Sequence, residues 1–493
     1  MSARRVARPG AVARRLRISA LAGCLSLALC GCASVTPPRA VRAAVEVPAA
    51  WSGADGAGAP RASSLAQWWS RFDDPLLAKL VALALQGNTS VKSAQAALRQ
   101  ARALRDVAAA GLLPTVGSSA SVQHNTADGH SAGNTFQAGL DANWELDIFG
   151  ANRSALNASD ATVRASAASL GDVQVSIAAE VALSYVTLRG AQARLVIAND
   201  NLASQQETLQ ITQWRLQAGL VTSLEAEQAR AAAEQTSAQL PALQTGIEQS
   251  RHALAVLTGQ PPAALATLLA AAGAVPRPAD DLALSIPAET LRQRPDVRAA
   301  EHQVAAAAAR VAEADAARLP TFRLGGSLGL NAPTLGSLTS GAAVVSAVLA
   351  SVSMPVFDGG ALRAQVRAQQ AALDQAGAAY QAAVLTALKD VEDALVALRG
   401  DRERLLHLGQ AAEAAGNAAL LARQRYSSGL VDFQTVLETQ RTQLSTQDGV
   451  ASASADLSAD HVRLYKALGG GWQPDGGGAT PAIPEDATRT DSS

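Results

Sequence analysis

Proline is missing from two long stretches of this chain: none falls between Pro114 and Pro241, and none between Pro355 and Pro474. Proline removes a helix hydrogen bond and clashes with the preceding turn, so its absence over such lengths leaves room for very long helices. A helix from about Ala151 to Gln217 would run on the order of 100 Å at 1.5 Å per residue, which no compact globular domain needs. The composition agrees. Of 493 residues 48% are hydrophobic, but only 3% are aromatic and 17% charged. Ala carries much of the apolar count, which suits long helices packed through small side chains better than one thick core.

The two stretches also repeat each other. "RLQAGLVTSLEAEQAR" (Arg215 to Arg230) and "RYSSGLVDFQTVLETQR" (Arg425 to Arg441) each place a Gly-Leu-Val turn before a polar helix, 210 residues apart (429 − 219). "TLRG" at Thr187 and "ALRG" at Ala397 keep the same offset, as do "LTG" at Leu257 and "ALG" at Ala467. "LPT" recurs at Leu113 and Leu319. The unit is therefore duplicated, over roughly 85–265 and 290–470, with the Pro-rich segment 266–289 as linker. Within the units Val181, Leu188, Leu195, Leu202, Leu209 and Leu216 recur every seven residues, matched by Val391, Leu398 and Leu405. Such a period predicts a left-handed supercoil with a narrow leucine seam. A two-stranded coiled coil and a ring of helices around a lumen both satisfy it.

Ahead of each long helix the period changes to two. In "TFQAGLDANWELDIF" (Thr135 to Phe149) Phe136, Ala138, Leu140, Ala142, Trp144, Leu146 and Ile148 share one face, and Gln137, Asp141, Asn143, Glu145 and Asp147 the other. That alternation predicts a strand. Weaker copies are Thr115 to Gln123 and Thr321 to Leu330, while Ala343 to Phe357 is apolar without a clear facing. Strands of about ten residues suit a membrane β-barrel, or a soluble sheet with one wet face. Four strands cannot close a membrane barrel, and open edges are not tolerated in lipid, so membrane strands here require several chains.

The chemistry is sparse. Cys24, Cys30 and Cys32 are the only cysteines, and the six histidines are scattered, so no metal site or thiol chemistry is expected after residue 32. The net charge of −1 gives no reason to expect a nucleic-acid partner. "GGSLG" (Gly325 to Gly329) fits an esterase elbow by letters, but the strand alternation continues through Ser327. Residues 1–31 read as a signal peptide: six arginines up to Arg17, then a short apolar run from Ile18 to Leu29. The run ends in "LCGC", which resembles a lipobox with Cys32 as the lipidated residue. "LAGC", ending at Cys24, leaves too short an apolar run, and an uncleaved anchor is the alternative. Residues 32–84 would form the lipidated N-terminal and equatorial segment, with Asp73 or Asp74 before Pro75 as a helix start. The tail 471–493 reads as disordered.

"WELDIFG" (Trp144 to Gly150), "RQRPDVRAAE" (Arg292 to Glu301), "MPVFDGG" (Met354 to Gly360) and "LYKALGGGW" (Leu464 to Trp472) occur in order. With them the mature chain resembles the TolC-family outer-membrane efflux channel lipoproteins of the NodT/OprM type. The resemblance implies a mainly α fold with a small membrane β-part. Long coiled-coil helices would form an α-barrel, and four transmembrane β-strands per chain would join in a homotrimer. Three such chains make a twelve-stranded β-barrel on a twelve-helix α-barrel. The strands would occupy about 115–148 and 321–357, and the long helices about 151–257 and 360–467. The implied function is the passive outer-membrane exit duct of a tripartite efflux pump, lipid-anchored and reaching into the periplasm. Its partners would be a periplasmic adaptor and an inner-membrane transporter. No cofactor is implied besides the lipid on Cys32. Gly219, Leu220, Val221, Gly429, Leu430 and Val431 would form the adaptor-contacting tips. Tyr426, Glu438 and Arg441 fall where the family places its periplasmic gate, although Glu replaces the more usual Asp, and Ser427 and Gln434 also depart from the pattern. Without a gate role, Glu438 and Arg441 are an ordinary solvated pair three residues apart. A periplasmic adaptor lipoprotein would have one hairpin instead of two full units. A purely structural helical lipoprotein would leave the alternating strands unexplained.

Overall fold

The computed structural model describes residues 65–127, 130–278, 288–339 and 344–472. The signal segment, Cys32, part of the linker and the tail after 472 lie outside the described residues. The elements are α1 (Pro75–Gly87), α2 (Thr89–Ala110), β1 (Thr115–Ala127), β2 (His130–Leu146), α3 (Ala151–Gln217), α4 (Ser223–Ser237) and α5 (Gln239–Leu257). After the linker come α6 (Pro295–Ala316), β3 (Thr321–Ala332), β4 (Val344–Ser353), α7 (Ala361–Ser427) and α8 (Phe433–Ala467). They cluster into two compact units. One holds Val107–Ala158 and Ala307–Ala372; the other holds the described part of Val41–Asp106, Ser159–Ala306 and the described part of Leu373–Ser493.

The first unit is built on a four-stranded sheet in the order β1-β2-β3-β4, antiparallel throughout. Register carries the alternation of β2 across the sheet. Trp144 stands opposite Leu324, Leu140 opposite Leu328, and Ala138 opposite Leu330. Directly opposed residues point to the same face. The facing of β4 is thereby decided: Val352 opposes Phe322 and Val348 opposes Gly326, so Val344, Val348 and Val352 join the apolar face. The other face carries Asp141 opposite Ser327 and Glu145 opposite Arg323, the latter an ion pair at 3.1 Å. Ser327 lies inside β3, which continues to Ala332 instead of turning into a helix at the serine, so the elbow geometry is absent. Among the described residues β1 and β4 each pair on one side only, which leaves two open edges.

Each long helix begins on an aspartate placed just after a strand. Asp147 accepts from the backbone N–H groups of Asn152 and Arg153, both at 3.0 Å. Asp358 accepts from those of Gly360 and Leu362, both at 2.8 Å. A carboxylate there satisfies the orphan donors of the first turn and meets the positive end of the helix dipole. These contacts hold the Asp358 carboxyl below its ordinary range, the Leu362 N–H contributing most.

In the second unit the helix ends are fastened in a repeated manner. Asn88 donates from Nδ2 to the Leu257 carbonyl at 2.8 Å, and Arg294 donates from Nη1 to the Ala467 carbonyl at 2.6 Å. The two carbonyls are 210 residues apart (467 − 257). Asp74 caps α1, with Pro75 in the first helical position. Its second oxygen accepts from the Tyr185 hydroxyl at 2.7 Å, and Arg189 donates to that hydroxyl at 3.0 Å. Burial, then the Asp74 acceptor, push the phenol up to about 12, so it stays a donor. Trp68 is fully buried and stacks on Tyr465 with ring centroids 5.4 Å apart. The aromatic segment before α1 is therefore core.

Two sequence expectations are refined by the packing. The return limb of the first repeat is divided at Ala238, because Pro241 has no N–H to offer the Ser237 carbonyl. Its counterpart α8 runs unbroken for 35 residues. The leucine seam is also only partly internal. Val181 and Leu188 are fully buried, but Leu195, Leu202, Leu209 and Leu216 stay half-exposed, and the companion positions Ala198, Gln205 and Thr212 are buried instead. The lower leucines find no complete cover among the described residues.

Candidate functional site: the hairpin tips

The two Gly-Leu-Val stretches form matching turns. Gly219 and Gly429 have φ of 70° and 72°, a conformation that costs a residue with Cβ. In the first tip Leu220 N–H donates to the Arg215 carbonyl at 2.8 Å and Gly219 N–H to the Leu216 carbonyl at 2.9 Å. In the second, Leu430 donates to Arg425 at 2.9 Å and Gly429 to Tyr426 at 3.0 Å. This double closure ends a helix in a left-handed glycine. Leu220 and Leu430 are left 73% and 74% exposed, while Val221 and Val431 are half-buried. Two bare leucines presented on rigid turns are suited to contact with another molecule.

Tyr426 is the centre of the contacts between the two tips. The Arg215 guanidinium lies over its ring, 4.5 Å from the centroid. The same guanidinium donates to the carbonyls of Tyr426 and Ser427 at 3.5 and 3.3 Å, the C-terminal end of α7 where a cation is favoured. The Tyr426 hydroxyl donates to Glu225 Oε2 at 3.4 Å, and its ring meets Phe433 at 5.5 Å. Asp432 starts α8 by accepting from Thr435 N–H at 2.8 Å. Its carboxyl is held below the usual range by the Thr435 hydroxyl first and the Thr435 N–H second.

Of the candidate gate residues, the fold brings Tyr426 together with Arg215, Glu225 and Phe433. Glu438 and Arg441 lie on the exposed side of α8, and among the described ion pairs none includes either. Arg215 and Glu225 were not singled out from sequence. The available signal was weak: Arg215 opens the first repeated stretch as Arg425 opens the second, yet only Arg215 reaches across. Among the described residues no cluster of His, Cys, Asp or Glu could hold a metal ion. No described helix is long and apolar enough to cross a membrane, which says nothing about strands.

Known proteins match this arrangement along nearly the whole chain. A family model described as outer membrane efflux protein matches residues 80–260 and 286–470. The pyoverdine export outer membrane protein OpmQ of Pseudomonas putida is 35% identical over 466 residues, covering 92% of this chain and 97% of that one. The outer membrane protein OprJ of Pseudomonas aeruginosa is 32% identical, covering 92% and 96%. Among solved structures, the outer-membrane channel OprN superposes with a TM-score of 0.81 at 38% identity, over 88% of this chain and all of that one.

Proposed function

The chain belongs to the outer membrane efflux protein family, and from that premise we propose that it is the passive exit duct of a tripartite efflux pump, gated at its hairpin tips. The observation that carries the duct reading is the sheet: four strands, one apolar face, one polar face and two open edges. In lipid such edges must be paired, and pairing them with those of identical chains closes a barrel. Three copies give twelve strands, above the minimum for a membrane barrel. The apolar face then meets lipid and the face with Asp141, Glu145 and Arg323 lines water.

The partners are a periplasmic adaptor and an inner-membrane transporter, which supply selection and energy; the duct itself catalyses nothing in this reading. Relatives are named for pyoverdine export and for toluene efflux, so cargo differs between the systems that these related proteins serve. Cys32 would carry the lipid that anchors the mature chain to the outer membrane, after removal of residues 1–31. The tips, through Leu220 and Leu430, would meet the adaptor. Tyr426 would hold the closed state, with Glu438 and Arg441 facing the lumen or a neighbouring chain. Solute movement needs only that the tips separate.

The test is single-channel conductance of the detergent-purified protein in a planar bilayer, with its mass measured in the same detergent. Discrete steps from a species of three chains are expected. A folded monomer without conductance would overturn the reading and favour an adaptor-like or structural lipoprotein.

A further inference from the structure

A cavity of about 840 Å³ lies in the second unit, where the linker passes α3, α7 and α8. Polar contacts hold the linker in place there. Arg189 donates to the Ala271 carbonyl, the Ser458 hydroxyl to the Pro276 carbonyl and Arg277 Nη2 to the Ser454 hydroxyl, each at 2.7 Å. Ala274 and Val275 thereby wall the cavity from the linker side. Small residues of α7 supply room: Gly409 and Ala412 line the space, whereas the first repeat has Asn199 and Leu202 at the positions 210 residues earlier.

Two guanidiniums border this space at different heights. The pairs Asn201–Gln447 at 2.8 Å and Thr208–Gln440 at 3.0 Å set α3 and α8 antiparallel. Ser454, which accepts from Arg277, lies seven residues on from Gln447 along α8. Ser204, which accepts from Arg423 at 3.0 Å, lies three residues on from Asn201 along α3. Those steps run in opposite directions, so the two anchors are about 15 Å apart at 1.5 Å per residue. Neither guanidinium is closely neutralised. Arg277 meets a neutral hydroxyl and stands in none of the described ion pairs. Among those pairs Arg423 has only Glu207, at 3.8 Å and itself 67% exposed. Asp200 is the one carboxylate among the described residues that line the cavity, so its lining carries an excess of positive charge.

A guanidinium whose partner is a hydroxyl keeps donors for a carboxylate or phosphate. A cavity of this size with apolar walls and a few placed polar groups has the usual form of a small-molecule site. We infer that the cavity binds an elongated organic dianion, with one acidic group on Arg277 and the other on Arg423. Its body lies along Ile197, Ala412 and Val450, and the amides of Gln443 and Gln447 take its polar atoms. The bound molecule ties the linker to α7. The duct reading gives this space no role, and the site stands without it.

The test is calorimetric titration of the full chain in detergent with dodecanedioate, a dianion whose length suits the spacing of the two arginines. Saturable binding of one ligand per chain is expected, together with a rise in the thermal midpoint, since a ligand that binds only the folded state stabilises it. Arg277→Gln and Arg423→Gln should each weaken binding by about tenfold or more, the loss of one charge-assisted contact. The shorter octanedioate should bind more weakly than dodecanedioate, and 1,12-diaminododecane should not bind. Ala412→Leu, which restores the side chain that the first repeat carries, should fill the cavity and abolish binding. Should that variant fail to fold, the two arginine variants decide, each with its own melting curve as the check on folding. No saturable heat in the wild type overturns the inference, as does equal binding of the diamine. Heat that is the same in wild type and in both arginine variants belongs to the micelle and overturns it too. In each of these cases the duct reading is untouched, because conductance is measured separately.

Discussion

The guanidinium of Arg215, in the last turn of the first long helix, covers the ring of Tyr426, in the last turn of the second, at 4.5 Å. The contact joins the repeats at their tips, and Arg215 also caps two carbonyls at the end of α7. A cation over an aromatic face contributes about 0.5–1 kcal/mol at exposed sites, and the capping bonds add to it. Arg215→Ala should shift the closed–open balance roughly tenfold, equivalent to about 1.4 kcal/mol. Larger or more frequent conductance steps are expected, with the thermal midpoint little changed. Tyr426→Phe keeps the ring and loses only the long bond to Glu225, so its effect should be smaller. Equal effects would mean that the hydroxyl matters and the stacking does not.

Glu438 and Arg441 make a separate prediction, because both point away from the chain's own contacts. Glu438→Ala with Arg441→Ala should leave the stability of a dissociated chain unchanged within about 0.5 kcal/mol. Conductance or its salt dependence should change in the trimer. If conductance is also unmoved, neither residue belongs to the gate.

Asp460 gives a pH dependence. Its side chain is 1% exposed on α8, and burial, followed by the neighbouring Asp401 carboxyl, pushes it up to about 6, with Arg463 opposing. The folded chain therefore holds a proton that the unfolded chain, with an ordinary Asp near 3.9, releases. That proton makes the folded state more stable below the unfolded value, and the gain is lost as pH rises through about 6. Melting at pH 4.5 and 7.5 should show the wild type gaining stability at the lower pH relative to Asp460→Asn. Parallel curves for the two proteins would remove Asp460 as the source.

Gly171 seats the indole of Trp472. A Cβ on Gly171 would lie 2.4 Å from Trp472 Nε1, and Arg298 covers the same ring at 5.6 Å. Gly171→Ala should cost about 1–3 kcal/mol by overpacking. In a Trp472→Ala background the same change should be close to neutral, and a double-mutant cycle reads the difference directly. Additive effects would show that the clash is relieved elsewhere.

Arg294 is 9% exposed and ties α6 to the end of α8 through Ala467, with Asp296 at 2.7 Å and Asp390 at 3.4 Å. Breaking a buried charge pair costs roughly 3–5 kcal/mol, and Arg294→Ala should fall near the lower end because both carboxylates are partly wet. Arg294→Lys should recover only part, since an ammonium cannot reproduce the fork. Full recovery by Lys would reduce the role to charge alone. The measurement is the denaturation midpoint in detergent.

Much of the architecture was legible in the sequence because its periods are local properties. Missing prolines left the long helices uninterrupted, alternation in Thr135 to Phe149 marked a strand, and the 210-residue offset marked the duplication. Gly219 and Gly429 announced their turns because few other residues tolerate positive φ. The tip cluster was less legible. Arg215 and Glu225 carry no spacing that distinguishes them from solvated charges, and their meaning comes from Tyr426 and its neighbours, 211 and 201 residues away.

The sequence by itself determined the elements, their duplication and the apolar faces of β2 and β3, since each follows from backbone chemistry and side-chain period within one segment. Tertiary structure alone decided the facing of β4, which has no alternation of its own and takes it from β3 through register. It also decided that the buried seam of α3 runs through Gln205 and Thr212 while the leucines stay half-covered. A seven-residue repeat fixes that a stripe exists. Which stripe is buried depends on where the neighbouring helix lies, and that is set by contacts between residues far apart in the chain.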